Sequence, residues 1–371
     1  MKKICFIVSS PLTASSFLKG PIKELSKTFH VSLIANLDNT DSEVFSDLPL
    51  KQIYNFEIVR NISIVKDFTC LMKLIHFFYK NKFDAIHSIS PKAGLLATLA
   101  GFISFIPKRT HTFTGQVWHT KKGIAKIILK NIDRLIVGCA TNILVDGKSQ
   151  LNFLKEKKII KNKGTTLGNG SISGVELNRF SPSKKIRVNS RKKFKIADDE
   201  WVFIFLGRLN KDKGVIDLIK AFNLIDQIKY SCSLYLVGND EGNVKLKFDS
   251  ISPKVYFIPH KKKPEEIIQI SDTFCMPSYR EGFGVSVIEA SALKKPIICS
   301  NTYGLKDTVI SGKTGLKYPV GNILKLKKAL EFSLKNKKIM KKMGIEGRKY
   351  VERNFNDKLL IKAWKEFYSK V

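Results

Sequence analysis

Trp201-Val202-Phe203-Ile204-Phe205-Leu206 runs straight into Gly207-Arg208-Leu209-Asn210-Lys211-Asp212-Lys213-Gly214. An unbroken apolar run of this length, stopped by glycine, marks a strand buried on both faces. Arg208 then projects from its carboxyl end, and Lys213 stands where the helix Val215–Asn223 begins. Two cations about five residues apart across such a turn converge on one anion. A diphosphate fits that need; an ordinary basic loop is the plainer alternative. The Gly-x4-Gly-Lys-Ser/Thr nucleotide loop does not occur.

The same grammar extends outward. Leu234–Val237, Thr273–Met276 and Pro296–Cys299 are further strands, and the chain from Asn322 is helical and lysine-rich. In the first half, Lys3–Ser9, Val31–Ala35, Asp84–Ser88, Arg109–Phe113 and Asn142–Val145 are expected strands. Helices are expected near Phe17–Thr28, Ile64–Tyr79, Ala93–Ile103 and Gly123–Ile136, with a loop at Ser10–Ser16. Such alternation predicts an α/β chain with parallel sheets covered on both faces. The pattern breaks over 180–199, where Pro182 and a Lys/Arg cluster replace large apolar residues. The expected organisation is a first domain 1–180, a linker 181–199, a second domain 200–355, and a terminal helix 356–371 packing back on the first domain. Ligands favour the carboxyl ends of such sheets.

A length of 371 residues exceeds what one core ordinarily fills. Six cysteines lie far apart without a Cys-x-x-Cys pair, which argues against zinc and redox sites and leads to the expectation of a reducing compartment. The net charge of +33 is spread over both halves with no nucleic-acid module. It points to phosphates or an anionic membrane surface rather than nucleic acid. The opening residues form a strand, not a signal peptide. The longest apolar stretch, Ala93–Ile106, is too short to span a bilayer.

A second motif follows the strand ending at Met276: Pro277-Ser278-Tyr279-Arg280-Glu281-Gly282-Phe283-Gly284-Val285-Ser286-Val287-Ile288-Glu289-Ala290. Its glycines let backbone approach a ligand, and the next helix turns free N–H groups toward the loop. Glu289, flanked by apolar residues, is at least half-buried and needs partners; sugar or ribose hydroxyls supply them, and so would protein groups.

These two motifs resemble glycosyltransferase family 4. The resemblance implies the GT-B fold, with two Rossmann-like domains facing across a cleft. It implies Arg208 and Lys213 on a donor diphosphate, Glu281 on the donor sugar and Glu289 on the ribose. Gly238, Ile258, His260, Gly282, Phe283, Gly284 and Val285 complete the implied donor set. Gly304 to Gly315 occupies a further phosphate-side loop. The first loop lacks the family's paired glycines, so Gly20 and Thr13–Ser16 match it poorly. The segments His87–Gly94, His111–Trp118 and Gly168–Val175 are similar to bacterial O-antigen and capsule enzymes. That likeness implies acceptor contacts at Ser15, His87, Lys92, Thr114 and Gly115, and a catalytic His111 that orients the donor sugar, with His119 a weaker candidate.

The activity so implied is retaining transfer of a hexose or N-acetylhexosamine, with GalNAc the best single choice. It would pass from a UDP-sugar to an undecaprenyl-diphosphate-linked sugar. No cofactor and no metal are expected, since the cations take the metal's place and no Asp-x-Asp triplet occurs. The expected location is cytoplasmic, peripheral on the inner face of the cell membrane. Lys121, Lys122, Lys126, Lys130 and Arg134, beside Ile124, Ile127, Ile128 and Leu129, and the cluster Lys155, Lys157, Lys158, Lys161 and Lys163 would meet the lipid. A sugar-nucleotide epimerase of GT-B shape, or a non-enzymatic polyanion-binding protein, are the alternatives. A phosphorylase lacks its lysine context.

Overall fold

The computed structural model describes residues 1–38, 45–59, 63–247 and 252–370. The chain divides into two compact units, Met1–Gly174 with Asp357–Val371, and Val175–Asn356.

Among the described residues the first unit holds seven parallel strands. They are β1 (Lys3–Val8), β2 (His30–Ala35), β3 (Gln52–Asn55), β4 (Ala85–Ile89), β5 (Lys108–Phe113), β6 (Asn142–Val145) and β7 (Thr165–Thr166). Their spatial order is β3-β2-β1-β4-β5-β6-β7, so the order reverses between β1 and β4. The continuous apolar run in β1 has a simple cause, because both its faces are covered. Ile4, Phe6 and Val8 pack toward Leu18, Ile22, Trp364 and Tyr368. Cys5 and Ile7 pack toward Cys70, Leu74, Phe78 and Ala97. The terminal helix Asp357–Tyr368 thus belongs to this unit's core. Trp364 Nε1 donates to the Ile172 carbonyl at 2.8 Å, and Tyr368 Oη meets His87 Nδ1 at 2.8 Å.

The second unit holds six described strands. They are β8 (Trp201–Leu206), β9 (Cys232–Val237), β10 (Val255–Ile258), β11 (Thr273–Met276), β12 (Ile297–Ser300) and β13 (Gly315–Tyr318). The order is β10-β9-β8-β11-β12-β13, all parallel, reversing between β8 and β11. Each sheet is therefore doubly wound, with one topological switch point.

Two expectations are corrected. Residues 181–199 are no linker. Lys184–Lys193 is a helix of the second unit, capped by Ser183 Oγ accepting from Ile186 N at 3.2 Å. Its basic residues bond inward: Arg187 donates to the Gln269, Ile270 and Ser271 carbonyls and pairs with Asp272 at 2.6 Å. Arg191 satisfies the Ile270, Ala197 and Glu200 carbonyls. Ser10–Ser16 is no loop either. Pro11, with φ already helical and no N–H to lose, starts a helix over Pro11–Phe17, and a second helix follows at Lys19–Leu25. Gly20 lies in that second helix, against Ile361.

Because Trp364 fills the first unit's core, Trp364→Ala should cost about 3–5 kcal/mol of that unit's stability. Chemical denaturation should show an earlier transition; an unchanged midpoint would mean the terminal helix contributes nothing to folding.

Candidate functional site

The switch point between β8 and β11 brings the two sequence motifs together. Beyond β8, Lys211–Lys213 forms a tight helical turn, held by Asn210 Oδ1 accepting from Lys213 N at 3.2 Å. Gly214 then takes φ 67°, and any side chain there would strike the Pro277 carbonyl. Glycine at 214 is thus what lets the two turns touch. Tyr279 N donates to the Asp212 carbonyl at 2.8 Å, and Arg280 Nε to the Asp212 carboxylate at 2.8 Å. Across this seam Lys213 Nζ meets Glu281 Oε1 at 2.5 Å, with both side chains largely buried. Ser278 Oγ donates to the same oxygen at 2.8 Å. The strand end is fixed in turn by Ser300 Oγ on the Ser278 carbonyl and Thr302 Oγ1 on the Tyr279 carbonyl. Gly304 lies so close to the Glu281 carbonyl that a Cβ would overlap it.

Arg208 sits in a more open position. Its Nη1 pairs with Glu241 Oε2 at 2.9 Å, and Asn210 Nδ2 donates to the same oxygen at 3.1 Å. The Glu241 loop is pinned to the Arg208 loop by Leu209 N on the Asn239 carbonyl and Gly242 N on the Leu209 carbonyl. Both expected phosphate cations therefore have a carboxylate beside them, and an incoming diphosphate would share or displace it. Glu241 and Ser278 are site residues that sequence reading missed. Glu241 lies in the loop just after Val237–Gly238, but nothing in one sequence pairs it with a residue 33 positions away.

Gly282, Phe283 and Gly284 are buried, with the Phe283 ring edge-on to Phe355 at 5.1 Å. Gly284 is the N-cap of the helix Val285–Ala292. Glu289, on that helix, keeps some surface to solvent, yet burial pushes its carboxyl up to about 8, against a weaker opposing pull from Arg179. Arg179 itself is engaged by Glu265 at 2.8 Å. Gly238 N donates to the Ile258 carbonyl at 2.9 Å, joining those two at neighbouring strand ends; Ile258 is buried and His260 exposed.

In the first unit the corresponding reversal lies between β1 and β4, where Ser9 Oγ meets Ser90 Oγ at 2.9 Å. Several expected acceptor residues are otherwise occupied. His87 is a core residue, not a contact group: Thr112 Oγ1 takes its Nε2 at 2.7 Å, Tyr368 takes Nδ1, and Phe6 stacks on the ring. Burial lowers its pKa to about 3. Lys92 is paired with Asp67 at 2.7 Å. Ser15 lies in the helix Pro11–Phe17, its Oγ 3.5 Å from the Leu12 carbonyl. Thr114 is half-buried and Gly115 buried just past β5. His111 lies within β5, fully buried against Gly94, with Nδ1 2.9 Å from Ser88 Oγ and Nε2 without a partner among the described residues. Burial lowers its pKa to about 3, so it is a neutral imidazole. His119 packs edge-on to Phe153 at 5.0 Å.

A family model described as glycosyl transferases group 1 matches residues 187–350, which include both motifs. The capsular polysaccharide biosynthesis glycosyltransferase CapM of Staphylococcus aureus is 30% identical over 364 residues, 95% of this chain and 92% of the relative. The N,N'-diacetylbacillosaminyl-diphospho-undecaprenol alpha-1,3-N-acetylgalactosaminyltransferase of Campylobacter jejuni is 25% identical over 340 residues, 84% of this chain and 87% of its own. Anabaena HepE, solved in complex with UDP-glucose, superposes with a TM-score of 0.81 at 14% identity over the whole of both chains. That likeness gives the chain the GT-B fold. With a relative this similar along nearly its entire length, the chain belongs to the glycosyl transferases group 1 family and is a glycosyltransferase.

Proposed function

We propose that this enzyme moves a hexose or N-acetylhexosamine, GalNAc first among them, from a UDP-sugar to an undecaprenyl-diphosphate-linked sugar of a bacterial surface polysaccharide. The observation that carries it is the meeting of Lys213 with Glu281 at the switch point of one sheet, with Arg208 on the same turn after β8. Breaking the anomeric bond places growing negative charge on the departing phosphate oxygens. Cations fixed before the reaction stabilise that charge without reorganising. Lys213 and Arg208 fill this role, with N–H groups after Gly284 adding to it. Glu281, held by Ser278, takes sugar hydroxyls as Lys213 turns to the diphosphate. Glu289 is assigned to the ribose; burial raises its pKa and so favours the protonated carboxyl, which both donates and accepts. His111 serves as a neutral group for the donor sugar, supported by its Nε2 having no partner among the described residues, though the ring is fully buried between β4 and the helix Pro91–Ile103.

The lipid-diphosphate acceptor and the sugar are supported by the Campylobacter jejuni relative, whose name carries both, and the donor nucleotide by HepE, solved with UDP-glucose. The Campylobacter jejuni relative is named for an alpha-1,3 transfer, and such a product made from an α-linked UDP-sugar would keep the anomeric configuration, which supports retention. The acceptor hydroxyl would then attack on the leaving-group face, with the leaving phosphate as base, so no protein nucleophile is needed. We place no metal in this scheme, and the enzyme works at the inner face of the membrane.

Lys213→Ala and Arg208→Ala should each lower turnover by about 10²–10³ in a protein that still folds, with Lys213→Ala also melting earlier because it leaves the Glu281 carboxylate without its cation. Wild-type turnover in either variant would remove the assignment. Activity should survive EDTA, whereas loss with chelator and rescue by magnesium or manganese would overturn the metal-free scheme. Glu289 yields a pH test. Its carboxyl titrates near 4.5 unfolded and near 8 folded. Between those values the folded state holds the extra proton, so this group's contribution to stability falls as pH rises. Glu289→Gln, which cannot ionise, should flatten that part of the Tm–pH curve; an identical slope in both proteins would show that the group does not titrate there.

A further inference from the structure

Three helices lie side by side on one face of the first unit's sheet: Ile64–Asn81 next to Pro91–Ile103, and that next to Gly123–Cys139. The first is apolar on two sides. Cys70, Leu74 and Phe78 enter the core, as a surface helix requires. The opposite side ought to be polar, yet it carries Val65, Phe68, Met72 and Tyr79, at 76%, 63%, 50% and 51% exposure. At about 100° per residue these four fall within one stripe roughly 60° wide. Lys66, Lys73 and Lys80 recur every seven residues along its flank, all exposed. On the third helix Ile124, Ile127 and Ile128 are exposed beside Lys121, Lys122 and Lys126. Between them, Phe102 and Phe105 stand out at the end of the middle helix, Phe105 at 82% exposure and held there by a left-handed φ of 55°. With Tyr79, Pro107 and Arg109 they line an open apolar cavity of about 560 Å³.

So large a set of exposed apolar side chains on neighbouring elements marks a surface made to be covered. What covers it is decided by the charge between the apolar residues. A second copy would press lysine rows of a chain with net charge +33 against each other. An anionic bilayer offers acyl chains to the apolar stripe and phosphates to the lysines at once. We infer that this helix layer inserts its apolar face into the headgroup–acyl boundary of an anionic membrane. The inference deepens the reading of a lipid-linked acceptor and rests on it for its purpose. Insertion differs from adsorption through lysines alone, such as Lys155, Lys157, Lys158 and Lys161 could supply, because salt screens only the charge contribution.

The test is co-sedimentation of the full chain with vesicles of phosphatidylglycerol and phosphatidylcholine, at low and high salt. Wild type should bind at low salt and keep a measurable part of that binding at high salt. The triple variant Phe68→Ser/Met72→Ser/Phe105→Ser should partition at least about tenfold less, at equal melting temperature, since each removed side chain loses its apolar transfer. It should retain turnover on a detergent-dispersed acceptor. Three results would overturn insertion: wild-type binding in the variant, complete release of wild type by salt, or concentration-dependent dimerisation abolished by the same variant. If vesicle binding behaves as expected but no lipid-linked acceptor is ever glycosylated, the surface stands and the acceptor reading falls.

Discussion

The site exists because β8 pairs in parallel with β11, Thr273 beside Phe203 and Phe274 beside Ile204. Parallel neighbours send their next turns out of the same end of the sheet. Two loops 68 residues apart therefore emerge side by side, and Lys213 meets Glu281. The glycine at 214 and the serine and threonine contacts from 300 and 302 only refine what that pairing imposes. Ser278 holds Glu281 and Asn210 holds the Lys213 backbone, so the loops stay in place while the Lys213 side chain turns from Glu281 to the diphosphate. Preorganisation of this kind is what makes a cation catalytic rather than merely attractive.

Strands buried on both faces are plain in the sequence, since apolar runs such as 4–8, 202–206 and 297–299 fit little else. The short outer strands are not. Gln52–Asn55 is mostly polar, Thr165–Thr166 has two residues, and Gly315–Tyr318 opens on a glycine chosen for its close fit to Ile297. The basic run near 190 misleads for a physical reason. Arginine satisfies helix-end carbonyls as well as it faces water, and composition does not distinguish the two. Of the candidate site, Arg208, Lys213 and Glu281 are legible because strand–turn–helix position fixes where they point. Glu241 and Ser278 act through partners that only the fold supplies. His87 shows the reverse error: its position at a strand's end suggests function, but Tyr368 from the far end of the chain makes it core.

Charge has two roles in this molecule. At the β8–β11 seam, each cation is matched to a carboxylate, so its field is local and directional. Over the helices of the first unit lysine is abundant, exposed and interleaved with apolar residues, a pattern suited to an extended anionic surface. Both features suit a transferase whose donor comes from water and whose acceptor stays in lipid.

Transfer from a UDP-sugar to a lipid-diphosphate-linked sugar is best tested by following UDP release from a panel of UDP-sugars, with and without a prenyl-diphosphate-linked sugar acceptor. Release should require the acceptor, be strongest with one donor, and lengthen the acceptor by one sugar. Rapid UDP release that is indifferent to the acceptor, with free sugar as product, would contradict it.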